Sequence, residues 1–566
     1  MAEKYLKIRL SQINIFVGEL EYNFNKIKKC ILKAKQDNVD IIAFPELSIT
    51  GYPPEDLLFK KQFIKDNIKI LNRLKNLCNN IICIIGFVDS VNGILYNSAA
   101  VIHNKTIADI YHKINLPNYS VFDEQRYFKA GETVPVYDIG RARFGISICE
   151  DIWVDSPPTK YQAEAGIDFL ININASPYYM NKPAERIKLL RNMAKNFNID
   201  IVYLNMVGGQ DEIIFDGNSM VVNNKGKLVT NCSQFKEDFV DYFFPVPNKK
   251  KSSKPNRIVR KININYNIRA SEFNIKHKKI TVIKDEEEIY NALVLGVKDY
   301  VRKNGFKKVI IGLSGGIDSA LTSVIAADAI GNENVVTVFM PSKFTSDESY
   351  VDARKLADNL NIEFHIVSIK NIYLEYLKNL KPLFKDLPFN IAEENIQARI
   401  RGNILMALSN KFGYLVLTTG NKSEMSTGYS TLYGDMAGGF AVIKDVYKSM
   451  VYKLSEYRNK VAGYDIIPEN ILRKEPTAEL RENQKDSDSL PEYEVLDKIL
   501  YLYVEKHFSY KEIVRKGFNE KDVKRAVMLV DRNEYKRRQA PPGIKITKLA
   551  FGKDRRFPIT NGYKLK

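Results

Sequence analysis

Short strands that are apolar on both faces recur along this chain and alternate with helical stretches. Residues 40–44 (DIIAF) and 199–204 (IDIVYL) place apolar side chains at consecutive positions instead of at every second one. Strands of this kind are buried on both faces, so helices must pack outside the sheets that contain them. The pattern predicts the α/β fold class.

A strongly basic segment separates two blocks of this pattern. The chain has 566 residues, more than one hydrophobic core usually holds. Residues 249–279 contain eleven Lys and Arg but one acid, Glu272, and carry more than half of the net charge of +18. We interpret the segment as a solvated linker, and RNA binding is the alternative that its charge leaves open. The predicted organisation is a first domain at 1–246, a basic linker at 247–284 and a second domain at 285–566.

The block after the linker repeats strand and helix in regular alternation. This order is typical of a doubly wound sheet of parallel strands with helices on both sides. Near the end of the block, the acidic run at 477–494 contains few apolar residues. We interpret that run as an exposed, mobile loop.

The sequence also bears on where the protein resides. No apolar run is long enough to cross a bilayer, and residues 1–20 lack the apolar core of a secretory signal. Five cysteines without a CxxC pair indicate reduced thiols, and five scattered histidines argue against a His/Cys zinc site. We therefore expect a cytoplasmic protein that has no membrane partner.

The segment GLSGGIDSA, residues 312–320, follows a buried predicted strand and opens a predicted helix. Its twin glycines allow a tight turn, and the free N–H groups of the helix start favour a pyrophosphate group. The lysine of a Walker A loop is absent. Asp318 would repel phosphate unless it holds a cation, so the segment implies Mg²⁺.

The residues SGGIDS resemble the signature of the ATP pyrophosphatase family, and three further segments, at 393–405, 417–439 and 534–546, are similar to NAD synthetases. The resemblance implies adenylation of a carboxylate by ATP, with Mg²⁺ held by Asp318 and Glu424. It also implies residues that bind ATP, which are Gly312, Leu313, Ser314, Gly315, Gly316, Ile317, Asp318, Ser319 and Thr419. For deamido-NAD the implied residues are Asn395, Glu424 and Lys536, with Asp435 at the nicotinate end and Lys448 on phosphate.

In the first half, three segments each place a reactive side chain at the end of a predicted strand. They offer Glu46, Lys113 and Cys149. A carboxylate that accepts the thiol proton, an ammonium that favours thiolate and oxyanion, and a thiol nucleophile are sufficient for amide hydrolysis. The N–H of Glu150 is a candidate second oxyanion donor. We expect an extended strand end to turn the Glu150 side chain away from the thiol, where it can hold a substrate ammonium.

These three segments resemble the carbon–nitrogen hydrolase, or nitrilase, family in their order and surroundings. The resemblance implies an α-β-β-α sandwich of two sheets for residues 5–245. It also implies that Tyr119, Ser176 and Lys182 bind glutamine, with Arg186 as the alternative to Lys182. Glu124 is implied as a supporting acid. The alternative for Cys149 is a small buried apolar residue, the usual role of a cysteine, but this alternative does not explain Glu46 and Lys113.

Together the two halves resemble the glutamine-dependent NAD synthetase family. The resemblance implies an ATP-dependent carbon–nitrogen ligase that frees ammonia from glutamine through a thioester and passes it to an adenylate of deamido-NAD. NAD, AMP and pyrophosphate are the expected products, and a homo-oligomer, at least a dimer, is the expected assembly. The alternative is an ATP pyrophosphatase that amidates or thiolates another acceptor, such as a nucleotide or tRNA. A nucleic-acid-binding role is disfavoured because every reactive group is present.

Overall fold

The computed structural model describes residues 4–154, 158–254, 256–268, 277–482, 484–488 and 490–563. The chain divides into two compact units. The first contains the residues up to 210 together with 214–283, and the second contains 211–213 together with the residues from 284 onward. Among the described residues, every helix is too short or too polar to cross a membrane.

The first unit is built from two sheets. In chain order its strands and helices are β1 (Tyr5–Gln12), α1 (Leu20–Gln36), β2 (Ile41–Ala43), α2 (Lys61–Lys75), β3 (Ile82–Val91), β4 (Ile94–His103), β5 (Thr106–His112), β6 (Val134–Asp138), β7 (Arg143–Ile148), α3 (Thr159–Glu164), β8 (Phe169–Asn174), α4 (Lys182–Phe197), β9 (Asp200–Asn205), β10 (Val207–Gln210), β11 (Ile213–Asp216), β12 (Met220–Val222), β13 (Leu228–Asn231), β14 (Asp238–Pro245) and β15 (Val259–Asn263).

The two sheets and the helices outside them form four layers. One sheet has the order β14-β1-β2-β3-β4-β5 and the other β13-β12-β9-β8-β7-β6-β15. A core cluster joins side chains of both sheets, among them Leu10 and Ile84 from one and Ile146 and Ile171 from the other. Helix α4 packs on the second sheet through a separate apolar cluster, and α2 packs on β3 of the first. The implied α-β-β-α sandwich is confirmed.

The segment predicted to be a solvated linker contributes structure to the first unit over its described residues. Strand β15 pairs in parallel with β6 and extends the second sheet. Farther along, the Tyr266 hydroxyl donates to Asp40 Oδ1 at 2.6 Å, and the Thr281 N–H donates to Asn231 Oδ1 at 3.0 Å. Pro255 and residues 269–276 of the segment lie outside the described residues. The interpretation of 247–284 as a fully solvated connection is therefore wrong for β15 and its flanks.

The second unit is a parallel sheet with helices around it. In chain order it contains α5 (Asp285–Lys303), β16 (Val309–Gly312), α6 (Ile317–Ile330), β17 (Val335–Phe339), α7 (Asp347–Leu360), β18 (Glu363–Ile366), α8 (Lys370–Phe384), α9 (Ile391–Phe412), β19 (Leu415–Thr418), α10 (Lys422–Thr427), β20 (Phe440–Ala441), α11 (Lys448–Ala462), α12 (Glu469–Arg473), α13 (Tyr493–Leu500), α14 (Tyr510–Arg515), α15 (Glu520–Arg532) and α16 (Glu534–Arg537).

Its strand order is β18-β17-β16-β19-β20, and each neighbouring pair is parallel. The chain moves outward from β16 to β18 on one side and then returns to place β19 on the other. The strand order thus reverses beside β16, and open α/β sheets bind ligands at such a switch point, outside the carboxyl ends of the strands. The predicted doubly wound parallel sheet is confirmed, and the segment after β16 stands at its switch point.

Candidate active sites

Cys149 stands where β7 ends and a short 3₁₀ helix, Cys149–Ile152, begins. Its backbone φ is +44°, in the left-handed region that side chains other than glycine seldom adopt. Asp151 accepts the Ile148 N–H on Oδ2 at 2.9 Å and so closes this turn. Asp151 also accepts the Asn115 N–H at 2.8 Å on its other oxygen, which ties the turn to the segment that follows Lys113.

The expected extended strand end at Cys149 is wrong, because a 3₁₀ turn begins there. Asp151 is fully buried and serves the backbone. Glu150 accepts the hydroxyl of Tyr119 on its two carboxylate oxygens, at 2.9 and 3.0 Å. The charge of Glu150 still raises the pKa of the Cys149 thiol, so the turn does not remove its influence on the sulfur.

Lys113 joins two buried carboxylates next to Cys149. Its Nζ lies 2.7 Å from Glu46 Oε1 and 2.8 Å from Glu124 Oε1. Glu124 also accepts the Tyr52 hydroxyl at 2.8 Å. The side chains of Lys113 and Glu46 are fully buried. We call Glu46, Lys113, Glu124 and Cys149 the thiol site.

The surroundings of Cys149 favour the protonated thiol. Burial, followed by the charge of Glu46, raises the pKa of the Cys149 thiol well above its ordinary value, and Lys113 acts in the opposite direction. The ammonium thus favours the thiolate, as predicted, but it does not outweigh burial and the nearby carboxylates. Attack by sulfur therefore requires a base that removes the proton during the reaction.

Burial also changes the pKa of the second carboxyl group in the thiol site, Glu124. Burial raises the pKa of Glu124 to about 7, although the charge of Lys113 acts in the opposite direction. A carboxyl group with this pKa holds its proton for part of the time at neutral pH. The site thus contains two acids whose environments differ, an arrangement that separates acid and base roles in many hydrolases.

The residues implied to bind glutamine lie around this site. Tyr119 is half exposed and contacts Glu150. Ser176 follows Ala175, whose N–H donates to Glu46 Oε2 at 2.8 Å. Lys182 lies over the Trp153 ring at 3.5 Å from its centroid, and burial together with the charge of Arg186 lowers the pKa of Lys182 to about 8.

Arg186 and Lys182 differ in how much of their charge is already neutralised. Arg186 is fully buried and forms a bidentate pair with Asp216, at 2.9 and 3.0 Å. Among the ion pairs of the described residues, none involves Lys182. A substrate carboxylate would therefore meet a free cation at Lys182 and a neutralised one at Arg186, which favours Lys182 over its alternative.

A cavity of about 300 Å³ lies at the switch point of the second unit. The turn after β16 forms one wall of it. Gly315 adopts φ +82°, and a Cβ atom there would lie 2.5 Å from the Ser349 carbonyl oxygen, so glycine is required. Each of the residues predicted to bind ATP lines this cavity: Gly312, Leu313, Ser314, Gly315, Gly316, Ile317, Asp318, Ser319 and Thr419.

Three acids and one lysine face each other in the cavity. Lys448 forms an ion pair with Asp318, and Asn421 donates to the same carboxylate at 3.0 Å. Burial, followed by the charge of Asp318, raises the pKa of Glu424 well above its ordinary value. Asp486, whose pKa burial also raises, lines the cavity as well. We call Asp318, Glu424 and Asp486 the acid cluster.

The acid cluster fits a magnesium ion by its chemistry. Three carboxyl groups oppose one ammonium, and a cation would favour the ionised forms of Glu424 and Asp486, whose pKa values burial raises. Within the described ranges no group of three or more His, Cys, Asp or Glu side chains could by itself hold a metal ion. Mg²⁺ needs no such set, because it keeps several waters and commonly takes one or two protein carboxylates plus phosphate oxygens.

Asn395 and Lys536 lie one contact away from the cavity lining. Thr431, which lines the cavity, donates to Asn395 Oδ1 at 2.8 Å. The Nζ of Lys536 donates to the carbonyl oxygens of Gly428 and Ser430, at 2.7 and 2.8 Å. Both residues therefore hold the loop that precedes Asp435.

Asp435 and Lys448 line the cavity themselves. Burial raises the pKa of Asp435 to about 6. Its Oδ1 accepts the Thr431 N–H at 2.7 Å, which fixes the carboxyl group on the loop that Asn395 and Lys536 support.

The acidic run at 477–494 differs from the exposed loop that its composition predicted. Residues 477–480 and Asp486 line the cavity. Glu479 accepts the Ser349 hydroxyl at 2.8 Å, and Leu490 belongs to a buried apolar cluster. Arg401, which the sequence reasoning also did not single out, lines the cavity, and burial lowers its pKa to about 10. No local pattern marks Asp486 or Arg401 as cavity residues, because Tyr429, which contacts Asp486, and Met340, which contacts Arg401, lie far away in the sequence.

Comparisons with known proteins agree with this arrangement. A family model described as carbon-nitrogen hydrolase matches residues 7–242, and a model described as NAD synthase matches residues 289–540. The chain is 47% identical to the glutamine-dependent NAD(+) synthetase of Thermotoga maritima, with 99% of both chains covered. It is 46% identical to that of Aquifex aeolicus, with 99% of this chain and 100% of the relative covered. The glutamine-dependent NAD+ synthetase of Acinetobacter baumannii, solved in complex with ADP, is 42% identical with a TM-score of 0.76, and 99% of both chains is covered.

Proposed function

This chain belongs to the family of glutamine-dependent NAD(+) synthetases, and we propose that its thiol site hydrolyses glutamine and its acid-lined cavity uses ATP to convert deamido-NAD into NAD. The observation that carries this proposal is the pairing of two chemistries in one chain. A buried thiol with a base and an ammonium suits amide hydrolysis. A glycine turn at a switch point with an acid cluster suits transfer from a nucleoside triphosphate. Similarity over 99% of the chain favours NAD synthesis over the nucleotide or tRNA acceptors.

Glutamine hydrolysis begins when Cys149 Sγ attacks the side-chain amide carbon and Glu46 takes the thiol proton. An ammonium group has three donors. Lys113 donates two of its hydrogen bonds to Glu46 and Glu124, so the third N–H is available for the oxyanion of the tetrahedral intermediate. The Glu150 N–H is the proposed second donor. Glu46 returns its proton to the departing nitrogen, ammonia leaves, and a thioester remains.

Hydrolysis of the thioester completes the first reaction. Glu46 takes a proton from water, the hydroxyl attacks the thioester carbon, and Sγ leaves with a proton as glutamate forms. Lys182 is proposed to bind the substrate α-carboxylate, and Tyr119 with Glu150 the α-ammonium. Ser176 lies next to Ala175, whose N–H holds Glu46, and is the third proposed glutamine contact.

In the second unit, the carboxylate of deamido-NAD attacks the α-phosphorus of ATP, and pyrophosphate leaves. Ammonia then attacks the carbonyl carbon of the adenylate, and AMP leaves with the carboxylate oxygen. The glycine turn and the Lys448 ammonium are proposed to bind the phosphates, with Thr419 on ATP. Asn395, Glu424, Lys536 and Asp435 are proposed to bind deamido-NAD directly or through their loop.

Magnesium is the proposed cofactor, held by Asp318 and Glu424. When bound, the ion would neutralise phosphate charge and stabilise the departing pyrophosphate. The Glu424 carboxyl is buried beside Asp318, and Lys448 compensates its charge only in part, so a bound cation would stabilise its ionised form.

A homo-oligomer, at least a dimer, is proposed to form through the second unit. Helices α8 and α9 and the residues between them expose several large apolar side chains, which are Ile372, Leu374, Tyr376, Leu383, Leu387, Phe389, Ile391, Met406 and Phe412. Monomeric proteins seldom expose so many apolar side chains on neighbouring elements. A cytoplasmic location stays a prediction from the sequence.

The central experiment measures NAD formation from deamido-NAD and ATP-Mg with either glutamine or ammonium as nitrogen donor. For Cys149→Ala we expect loss of glutamine use and retention of ammonium use. Retention of glutamine use would contradict the assignment of the nucleophile. Loss of both activities in a folded variant would contradict the assignment of separate reactions to the two units.

The route of ammonia can be tested in the same assay. With ¹⁵N-amide glutamine and a large excess of unlabelled ammonium, we expect the label to persist in NAD because ammonia passes to the second site without mixing with solvent. Full dilution of the label would show that the nitrogen is released first.

A further inference from the structure

Asn97 connects the parts of the thiol site, although no role has been assigned to it so far. It lies in β4, is 1% exposed, and its carbonyl oxygen accepts the Lys113 N–H at 2.8 Å. Its side-chain Nδ2 donates to Glu46 Oε1 at 2.7 Å and reaches Glu124 Oε2 at 3.5 Å. One residue thus holds the backbone of the ammonium residue and contacts both carboxylates.

The orientation of this amide is decided by the charges beside it. Asn97 Oδ1 is buried and has no hydrogen-bond partner within the described part of the chain. A flipped amide would place Oδ1 where Nδ2 now lies, and an acceptor would then face the two carboxylates. A buried polar atom without a partner is unfavourable, so the orientation is maintained by the stronger interaction of the NH₂ group with the acids.

The two contacts of the amide are unequal. The bond to Glu46 is short and the one to Glu124 is at the limit of hydrogen bonding. A donor stabilises a carboxylate in its ionised form, and a neutral donor does so without adding charge. Two buried carboxylates share a single ammonium here, so one of them tends to hold a proton. The shorter bond therefore favours ionisation of Glu46 and leaves the proton to Glu124.

We propose that Asn97 is a positioning residue of glutamine hydrolysis that keeps Glu46, the general base, ionised and directs the shared proton to Glu124. The proposal rests on the proposed hydrolysis at Cys149. An ionised Glu46 can accept the thiol proton, whereas a protonated one cannot. The other groups that act on these acids are Lys113 after β5, the Tyr52 hydroxyl on Glu124, and Cys149 after β7. The Glu150 charge acts on Cys149. The Ala175 N–H, a further donor, is fixed to the other Glu46 oxygen.

The first test is Asn97→Ala, read as a pH profile of glutamine-dependent kcat/KM. Loss of the donor makes Glu46 hold its proton to higher pH, so the acidic limb should move upward by about one pH unit, as expected for a lost hydrogen bond to a charged group. Ammonium-dependent NAD synthesis, which is proposed to occur in the second unit, should be unchanged. A uniform loss of rate with an unmoved limb would overturn the proposal.

The matched control is Asn67→Ala. Asn67 is as buried as Asn97 in the same unit, but its Nδ2 donates to the Val88 carbonyl oxygen at 2.6 Å. This variant loses a buried amide without touching an acid, and its acidic limb should stay where the wild-type limb lies. An equal shift in both variants would mean that packing moves the limb, and the proposal would fail.

The isosteric Asn97→Asp provides an independent test. In its protonated form the new carboxyl group can donate to Glu46, and in its ionised form it adds a third negative charge. The added charge opposes ionisation of Glu46, so the acidic limb should move upward at least as far as in the alanine variant. A limb that stays at the wild-type position would overturn the proposal.

A further test observes the two carboxyl groups and needs no substitution at Asn97. Infrared difference spectra across pH 5 to 8 report the protonated carboxyl band, and Glu46→Gln and Glu124→Gln identify its source. At neutral pH we expect the band to vanish in the Glu124 variant and to remain in the Glu46 variant. The reverse result would overturn the proposal even if every Asn97 variant failed to fold. Failure of the proposed function would appear separately, as glutamine use by Cys149→Ala.

Discussion

Lys448 forms an ion pair with Asp318 across the mouth of the glycine turn, and the two residues lie on different helices, α11 and α6. Lys448 is 3% exposed, so its charge acts in a poorly solvated environment. It compensates part of the acid cluster, and we propose that it also meets phosphate when substrates bind. The pair would then connect the charge of the acid cluster to the charge of the substrates.

Lys448→Met should abolish most NAD synthesis with either nitrogen donor. Removal of one fixed donor to developing charge typically lowers kcat by about 10²- to 10³-fold. Glutamine hydrolysis, measured as glutamate release, should continue. The control is Lys453→Ala, an exposed lysine on the same helix. Full synthetase activity in the Lys448 variant would remove this residue from the site.

Glu424→Gln should weaken the binding of Mg²⁺. Because Glu424 is a proposed ligand, the variant should need a higher Mg²⁺ concentration for half-maximal NAD synthesis and keep its glutaminase activity. Isothermal titration of Mg²⁺ in the presence of a non-hydrolysable ATP analogue gives a readout that is independent of turnover. An unchanged magnesium requirement would contradict the assignment. Glu394→Gln on α9 serves as the control, since Glu394 does not line the cavity.

The stability of the first unit should fall between about pH 4.5 and pH 7 because of Glu124. Burial raises the pKa of this group from 4.5 to about 7, so the folded state binds a proton that the unfolded state has released. The contribution of Glu124 to the free energy of unfolding is complete below pH 4.5, declines as the pH approaches 7 and is gone above it. The total loss is about 3 kcal/mol.

Glu124→Gln cannot titrate and should lack this decline. Thermal unfolding midpoints of both proteins at pH 5 and pH 7.5 check the expectation. Equal changes of the unfolding midpoint in the wild-type protein and the variant between pH 5 and pH 7.5 would contradict this expectation.

The KM for glutamine should rise as the pH passes about 8. Burial and the charge of Arg186 lower the pKa of Lys182 to about 8, so its proposed interaction with the substrate carboxylate is lost in mildly alkaline solution. Lys182→Arg should remove this rise because a guanidinium stays charged. Lys182→Met should raise KM at every pH, whereas Lys188→Ala, an exposed position on the same helix, should not. A constant KM in the wild-type protein would refute the assignment.

Self-association through α8 and α9 can be tested by charge. Leu383 is 74% exposed and Ile391 is 66% exposed, so their replacement should not disturb the fold of a monomer. Leu383→Glu combined with Ile391→Glu should lower the mass measured by light scattering to that of one chain. Tyr563→Glu, a change at an exposed aromatic residue outside this surface, should leave the mass unchanged. An unaltered assembly in the double variant would place the interface elsewhere.

The parts of the fold that depend on local pattern were predictable. Strands apolar on both faces, such as β8 and β9, and the turn after β16 follow from neighbouring residues, and so do the reactive side chains at strand ends. Contacts between distant residues did not follow. Asn97 meets Glu46 across 51 positions and Glu479 meets Ser349 across 130, and no local pattern records such pairs. Strand β15 was missed because it lies in a basic segment and itself contains Arg260 and Lys261, and an edge strand can carry charge on its exposed positions.

The protonated state of Cys149 has a consequence for the life of the protein in the cell. Peroxides and electrophilic metabolites react with thiolates far faster than with thiols. A sulfur whose surroundings favour the protonated form is less reactive toward such agents between turnovers. Selectivity for the proper reaction partner and durability under oxidative conditions thus arise from the same burial.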